Sequence, residues 1–332
     1  MTARDSQASG EDRLIARFFK PLATAPGALG LGDDAAFMKP PPGCDLVLTA
    51  DALVGGVHFF ADDEACAVAQ KALRVNLSDL AAKGAKPLGY LLSLALPETA
   101  DETWLASFAN GLQADADQFA CPLFGGDTVR TGGPVTVSIA MFGSVPEGGM
   151  VRRSGGKPGD VVMITGTIGD AALGLELRRG RGAGWKLTAA EREHLLARYL
   201  APQPRCRLAD AVRAYASAAM DVSDGLVGDF AKLARASAVA AEVRAEQVPV
   251  SEAARAALKA DPGLLEGMLT GGDDYEIVCT VSPAKVEAFE AAAREAGISL
   301  TAIGKVMAGE GVRFLGAEGK PLSFGRPSFS HF

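Results

Sequence analysis

Apolar residues recur at helical spacing between Glu64 and Lys83, where Val68, Ala69, Leu73, Leu77, Leu80 and Ala81 fall three or four residues apart and Gly84 supplies a stop. The same pattern predicts helices over Glu102 to Phe119 and, near the start, over Asp12 to Phe19. Strand-like runs separate them. Asp45 to Thr49 reads as a buried strand ending at Asp51, Leu88 to Leu96 as a second, and Val135 to Phe142 alternates with the two-residue period of a strand.

A Gly- and Pro-rich stretch, GSVPEGGMVRRSGGKPGD at residues 143 to 160, closes this first α/β block and is the predicted linker. Beyond it the pattern predicts a strand over Val161 to Thr165 and helices over Asp170 to Arg179 and Cys206 to Ala218. The loop MDVSDGL follows, then a helix to Ala236, a strand over Tyr275 to Val281, a helix over Ala284 to Ala296 and short closing strands. Alternating strands and helices in both halves give an α/β (or α+β) chain of two domains, residues 1–145 and 146–332. A length of 332 residues fits two domains.

Charge and cysteines narrow the function classes. A net charge of −7 gives no basic surface for a nucleic-acid backbone. No run approaches a membrane span, and the first residues lack the apolar centre of a signal peptide. The five cysteines are scattered, without a CxxC pair, and read as small buried hydrophobes of a reducing cytosol. A soluble, cytoplasmic protein is expected, with no membrane and no nucleic acid among its partners.

The chemistry is carried by aspartates beside glycine. Asp33 and Asp34 lie in GLGDDAAF, Asp51 in LTADALVGGVHF, Asp79 in NLSDLAAKGA, Asp127 in FGGDTVR, Asp221 and Asp224 in MDVSDGL, and Asp273 and Asp274 in TGGDDYEI. They read as residues at loop tips. Glycine lets backbone N–H groups approach an anion, and carboxylates are the hard oxygen ligands that Mg²⁺ takes when it also binds phosphates. Each motif singly could equally cap a helix or make an Asx-turn. Six together point to a metal–nucleotide site, and carboxylates about 4 Å apart would repel by roughly 4 kcal/mol at an effective dielectric near 20, so more than one cation is expected. No P-loop or protein-kinase signature is present, and the GxGxxA match at Gly30, Gly32 and Ala35 follows a loop instead of a strand. His58 could be structural or touch substrate; His194 reads as a solvated helix face. Arg130, Arg152, Arg153 and Lys157 could neutralise phosphate or simply be solvated.

Taken in order, GLGDDAAF, TADALVGGVHF, KALRVNLSDLAAKGAKP, FGGDTVR, RRSGGKPGDVVMITGTIGDAALGL, MDVSDGL and GGDDYEI resemble the thiamine-monophosphate kinase family and cover most of residues 30 to 280. The resemblance implies a two-domain aminoimidazole ribonucleotide synthetase-like fold whose amino-terminal domains pair in a homodimer. It implies a phosphotransferase with a phosphate acceptor, which makes thiamine diphosphate and ADP from thiamine monophosphate and ATP by direct in-line transfer with several Mg²⁺ ions. By motif it implies metal ligands at Asp34, Thr49, Ala50 (through its carbonyl), Asp51, Asp79, Asp127, Asp221 and Asp224. ATP contacts would be Phe119, Gly126, Asp127, Arg153 and Ser223, and substrate contacts His58, Asp273 and Phe329. The catalytic roles would fall to Asp51, Asp79, Asp127 and Arg153. The sequence departs from the family at Ala50, where a hydroxyl is usual, at Gly55, and at Asp273, where Glu is usual. The alternatives are another ATP-dependent enzyme of the same superfold with a different small phosphorylated substrate, or a noncatalytic nucleotide-binding regulator.

Overall fold

The computed structural model of the protein describes residues 10–326, 328 and 329. By its contacts the chain forms two units, one of Met1–Leu77 with Lys86–Glu147, the other of Ser78–Ala85 with Gly148–Phe332. The single boundary at 145/146 read from the sequence contains no such excursion. Periodicity identifies a helix but not the body into which its last turn packs.

In the first unit, α1 (Gly10–Leu14) runs into one wide turn at Ile15–Phe19 and is followed by β1 (Cys44–Val54) and α2 (Ala65–Ala82). Then come β2 (Lys86–Leu96), α3 (Glu102–Phe119), β3 (Leu123–Arg130) and β4 (Thr136–Pro146). The sheet order is β1-β4-β2-β3, with β2 and β3 parallel and the other pairs antiparallel. Helix α3 has the predicted bounds, for physical reasons: Asp101 caps it by accepting from the Trp104 N–H at 2.8 Å, and Leu105, Phe108, Ala109, Leu112 and Ala116 form one buried stripe.

Two strands differ from the reading above. β1 continues past Asp51 to Val54, and it is a sheet edge: Val47 and Leu53 are buried, while Leu46 and Leu48 are 41% and 65% exposed. Apolar residues on both faces of one strand had imitated a fully buried one. FGGDTVR, read as a loop tip, is most of β3. Gly126 is there for close approach, since a Cβ on it would lie 1.8 Å from the Leu92 carbonyl oxygen of the neighbouring strand.

The second unit contains β5 (Val161–Thr165), α4 (Asp170–Arg178), α5 (Ala189–Leu200), α6 (Ala209–Tyr215), β6 (Ala216–Asp221), α7 (Leu226–Ala236) and β7 (Ala240–Arg244). It continues with α8 (Glu252–Ala260), α9 (Leu264–Thr270), β8 (Ile277–Val281), α10 (Val286–Glu295), β9 (Leu300–Met307) and β10 (Gly311–Leu315). The six-stranded sheet runs β10-β7-β9-β5-β8-β6. One buried cluster holds Val162, Ile164, Met220 and Phe230 of α7, a second holds Met163, Ala219, Cys279 and Phe289 of α10, and a third holds Leu173, Trp185 and Leu195. With both faces covered, VVMI is an unbroken apolar run. The helix predicted to Ala218 stops at Tyr215, and its last three residues begin β6 instead. Among the described residues no helix is long and apolar enough to cross a membrane.

Candidate active site

In the second unit the motif MDVSDGL turns out of β6 at Asp221 and enters α7 after Gly225. The fully buried carboxylate of Asp229, in the first turn of α7, organises this turn. Its Oδ2 accepts the backbone N–H groups of Ser223, Asp224 and Gly225 at 3.0, 2.8 and 3.2 Å. Lys232, one helical turn on, donates to Asp229 Oδ1 at 2.9 Å and to Asp224 Oδ2 at 2.7 Å. Burial pushes the Asp229 carboxyl up, against the pull of these donors. Burial alone would lower the Lys232 ammonium, but its bonds to Asp224 and Asp229 overcome that and raise it.

The GGDDYE segment lies alongside. The Asp273 N–H donates to the Ser223 carbonyl at 2.9 Å, the Tyr275 N–H to that of Val222 at 2.8 Å, and the Val222 N–H to that of Glu276 at 2.8 Å. Both Asp273 (φ 73°) and Tyr275 (φ 50°) are left-handed, which costs an L-residue about 1 to 2 kcal/mol. Phe329, half exposed, donates its N–H to the Asp224 carbonyl at 3.0 Å. Thus Ser223, Asp224, Asp273 and Phe329 are gathered by backbone hydrogen bonds, while Asp221 pairs with Ile277 in the β6–β8 ladder.

Asp79, in the last turn of α2, belongs to this unit as well. Burial, and next the charge of Asp79, push the Asp221 carboxyl up to about 8. Lys83 donates to the Ala219 carbonyl at 2.7 Å. Burial brings its ammonium down to about 8, with Asp221 and Asp79 pulling upward and Arg153 downward. Arg153 itself is exposed, and its carbonyl accepts from the Ser237 hydroxyl at 2.9 Å. A buried carboxyl pushed up by burial and by a neighbouring carboxylate's charge is one that a divalent cation would relieve, so the Asp221 side chain suits a hard metal. Among the described residues no three His, Cys, Asp or Glu side chains are gathered into a set that could hold a metal ion.

The first unit places the remaining residues as follows. Asp34 is exposed and its N–H bonds to the Asp33 carboxylate at 2.8 Å. Thr49, Ala50 and Asp51 lie in β1 opposite Met141, Ala140 and Ile139 of β4. Asp51 therefore shares the buried face of Ile139 and Leu92, whereas Asp127, opposite Ser93, lies on the exposed face with Leu91. His58 Nδ1 accepts the Val54 N–H at 3.0 Å, which fixes the neutral tautomer with its proton on Nε2, and the buried Lys71 donates to the His58 carbonyl. Phe119 lies 5.9 Å from the guanidinium of Arg74, which is paired with the buried Asp115 at 2.7 Å. His194, read as solvated, has Nε2 3.1 Å from the buried Asp170 carboxylate.

The sequence reading missed Lys83, Asp229 and Lys232, and gave no role to Asp274 and Glu276. Asp229 and Lys232 carry a weak signal, an i,i+3 acid–base pair just after a glycine turn, which ordinarily reads as a solvated helix start. Lys83 sits where a helix ends and reads as a dipole partner.

Residues 32–145 match the family description "AIR synthase related protein, N-terminal domain" and residues 157–316 its C-terminal counterpart. The chain is 46% identical to the thiamine-monophosphate kinase of Caulobacter vibrioides over 90% of its own length and 84% of that protein's. The crystal structure of thiamine-monophosphate kinase from Stenotrophomonas maltophilia K279a, 40% identical, superposes with a TM-score of 0.82 over 94% of this chain and 96% of that one. The structure described as AaThiL complexed with AMPPCP and TMP, 30% identical, gives 0.77 over 100% and 99%.

Proposed function

The chain belongs to the thiamine-monophosphate kinase family, and from that premise we propose that it transfers the terminal phosphate of ATP to thiamine monophosphate, yielding ADP and thiamine diphosphate. The observation that carries this reading is full-length similarity to a relative holding AMPPCP and TMP, combined with the ordered aspartate motifs of this chain. Phe329 and Asp273, the acceptor contacts read from the sequence, lie on one loop cluster with Ser223 and Asp224.

The acceptor is itself an ionised phosphate, so no strong general base is required. The work is to bring two polyanions together and stabilise the charge that develops between them. Arg153 serves the transferring group, with Phe119, Gly126, Asp127 and Ser223 on the nucleotide and His58, Asp273 and Phe329 on the acceptor. Asp34, Thr49, the Ala50 carbonyl, Asp51, Asp79, Asp127, Asp221 and Asp224 are oxygen donors for Mg²⁺, which when bound neutralises and orients phosphate oxygens. Asp224 is held by Lys232, so its share in metal binding requires that ammonium to turn aside. Asp51, Asp79 and Asp127 carry the catalytic charge.

A homodimer formed through the first unit accompanies this reading. Leu46, Leu48, Leu91 and Val129 are exposed on the open face of a four-stranded sheet, the kind of apolar face that a second copy could cover. A cytoplasmic site suits its need for ATP and its five unbridged cysteines. The test is purified protein with ATP, Mg²⁺ and thiamine monophosphate, scored for thiamine diphosphate. Absence of that product overturns the named acceptor, and turnover of a different phosphorylated acceptor would favour another enzyme of the superfold.

A further inference from the structure

Left-handed Asp273 and Tyr275 alternate with two carboxylates that are almost wholly removed from water, Asp274 and Glu276. Beneath the loop, Glu276 accepts from the Thr165 hydroxyl at 2.7 Å, from Arg198 Nη2 at 2.9 Å and from Arg205 Nε at 2.6 Å, with Arg205 Nη2 on its other oxygen. Thr165 Oγ1 in turn accepts the Ile277 N–H at 2.8 Å, where the loop enters β8. Arg198 also reaches the Asp274 carbonyl at 3.2 Å, so one guanidinium holds both a side chain and the backbone of the loop. Asp274 accepts the Gly169 N–H on both oxygens, at 3.0 and 2.9 Å. The surroundings are shaped to this cluster: Gly166 has φ +57°, and a Cβ there would sit 2.0 Å from Glu276 Oε1.

Burying ions is a poor way to gain stability, because apolar residues of similar volume are often as good or better. What a buried network with every donor and acceptor engaged supplies is a single conformation. Here that conformation belongs to a loop whose backbone is disfavoured at two of its own residues. We infer that Glu276, clamped by Arg198 and Arg205, is a positioning residue that sets the geometry of residues 271–276 and thereby the affinity for the phosphorylated acceptor. This inference rests on the assignment of Asp273 to the acceptor under the proposed function. Asp274 and Tyr275 follow Asp273 directly, so a loop released from the clamp carries Asp273 with it.

The test uses the full-length protein with Glu276→Gln, which keeps the volume and one acceptor oxygen but removes the charge, and with Arg205→Lys, which keeps the charge but loses the fork. Amide hydrogen exchange at Asp273 and Tyr275 needs no ligand. It should quicken in both variants, more in the first, while exchange in β5 keeps its wild-type rate. Calorimetry should show thiamine monophosphate binding weakened by roughly 10-fold or more in Glu276→Gln while ADP binding stays within about 2-fold, as expected for a misplaced contact. Unchanged exchange at the two amides, or equal losses for acceptor and ADP, overturns the inference. A wild-type protein that binds ADP but not thiamine monophosphate overturns the acceptor assignment, and the exchange measurement then decides the clamp by itself.

Discussion

Replacing Asp229 by alanine tests whether the second unit's loop is built by one buried carboxylate. The substitution removes the acceptor of three backbone N–H groups at 2.8 to 3.2 Å and of the Lys232 ammonium at 2.9 Å. A hydrogen bond to a charged group contributes about 1.5 to 3 kcal/mol net, but the four are not additive. Ser223 and Asp224 are only half-buried, so water can replace the carboxylate at their N–H groups, whereas the buried Gly225 N–H loses its partner outright. Lys232 keeps its bond to Asp224 and is about a third exposed, so it adds little, and the loss should be about 3 kcal/mol, mostly from the buried Gly225 N–H and the lost charge-assisted bonds. For a body of this size that lowers the midpoint of thermal unfolding by roughly 6 to 12 °C. Asp229→Asn keeps one acceptor oxygen and should lose about half as much. Because Asp221, Ser223 and Asp224 ride on this turn, kcat/KM should fall by about 100-fold in the alanine variant. Differential scanning calorimetry and a coupled ADP assay read the two effects. A loss under about 1 kcal/mol with normal turnover would refute the assignment of the turn's geometry to Asp229.

Asp51→Asn and Asp79→Asn should each abolish turnover at millimolar Mg²⁺ while leaving circular dichroism and the unfolding midpoint close to wild type. Asp221 binds its proton more tightly folded, at about 8, than unfolded, near 3.8. Its contribution to stability is therefore full below about pH 4 and is lost as pH rises through about 8. In EDTA the unfolding midpoint should drop between pH 5 and pH 9 more for the wild type than for Asp221→Asn; equal drops would contradict the raised value. Leu48→Glu puts a charge on the open face of the first sheet and should yield a monomer by light scattering, with the fold retained.

Much of the scaffold was legible because its signals are local. Helix α3 carries its own cap and its own stripe, and VVMI, apolar throughout, reads as a strand covered on both sides. Where the chain departs from that reading, a partner decides. ASAAM continues the helical pattern of the residues before it, yet pairing with β8 draws it into the sheet as β6. FGGDTVR has the composition of a turn and becomes β3 because glycine is what lets it lie against β2. At the candidate site the motifs marked which aspartates matter, but not their faces. One residue of register separates the side of Asp51 from that of Asp127, and spacing along the chain does not encode it. The Glu276 clamp was illegible for a plainer reason: its partners Thr165, Arg198 and Arg205 come from 71 to 111 residues away.

The exposed face of the first sheet carries Asp127 among Leu91, Ala95 and Val129. If two copies pair there, a proposed ligand of the nucleotide's metal lies in the surface that association covers. Catalytic competence then becomes a function of protein concentration. Specific activity should decline on dilution with a midpoint at the dimer's own dissociation constant, and substrate should shift that midpoint downward, since whatever binds the pair more tightly than the single chain holds the pair together by mass action.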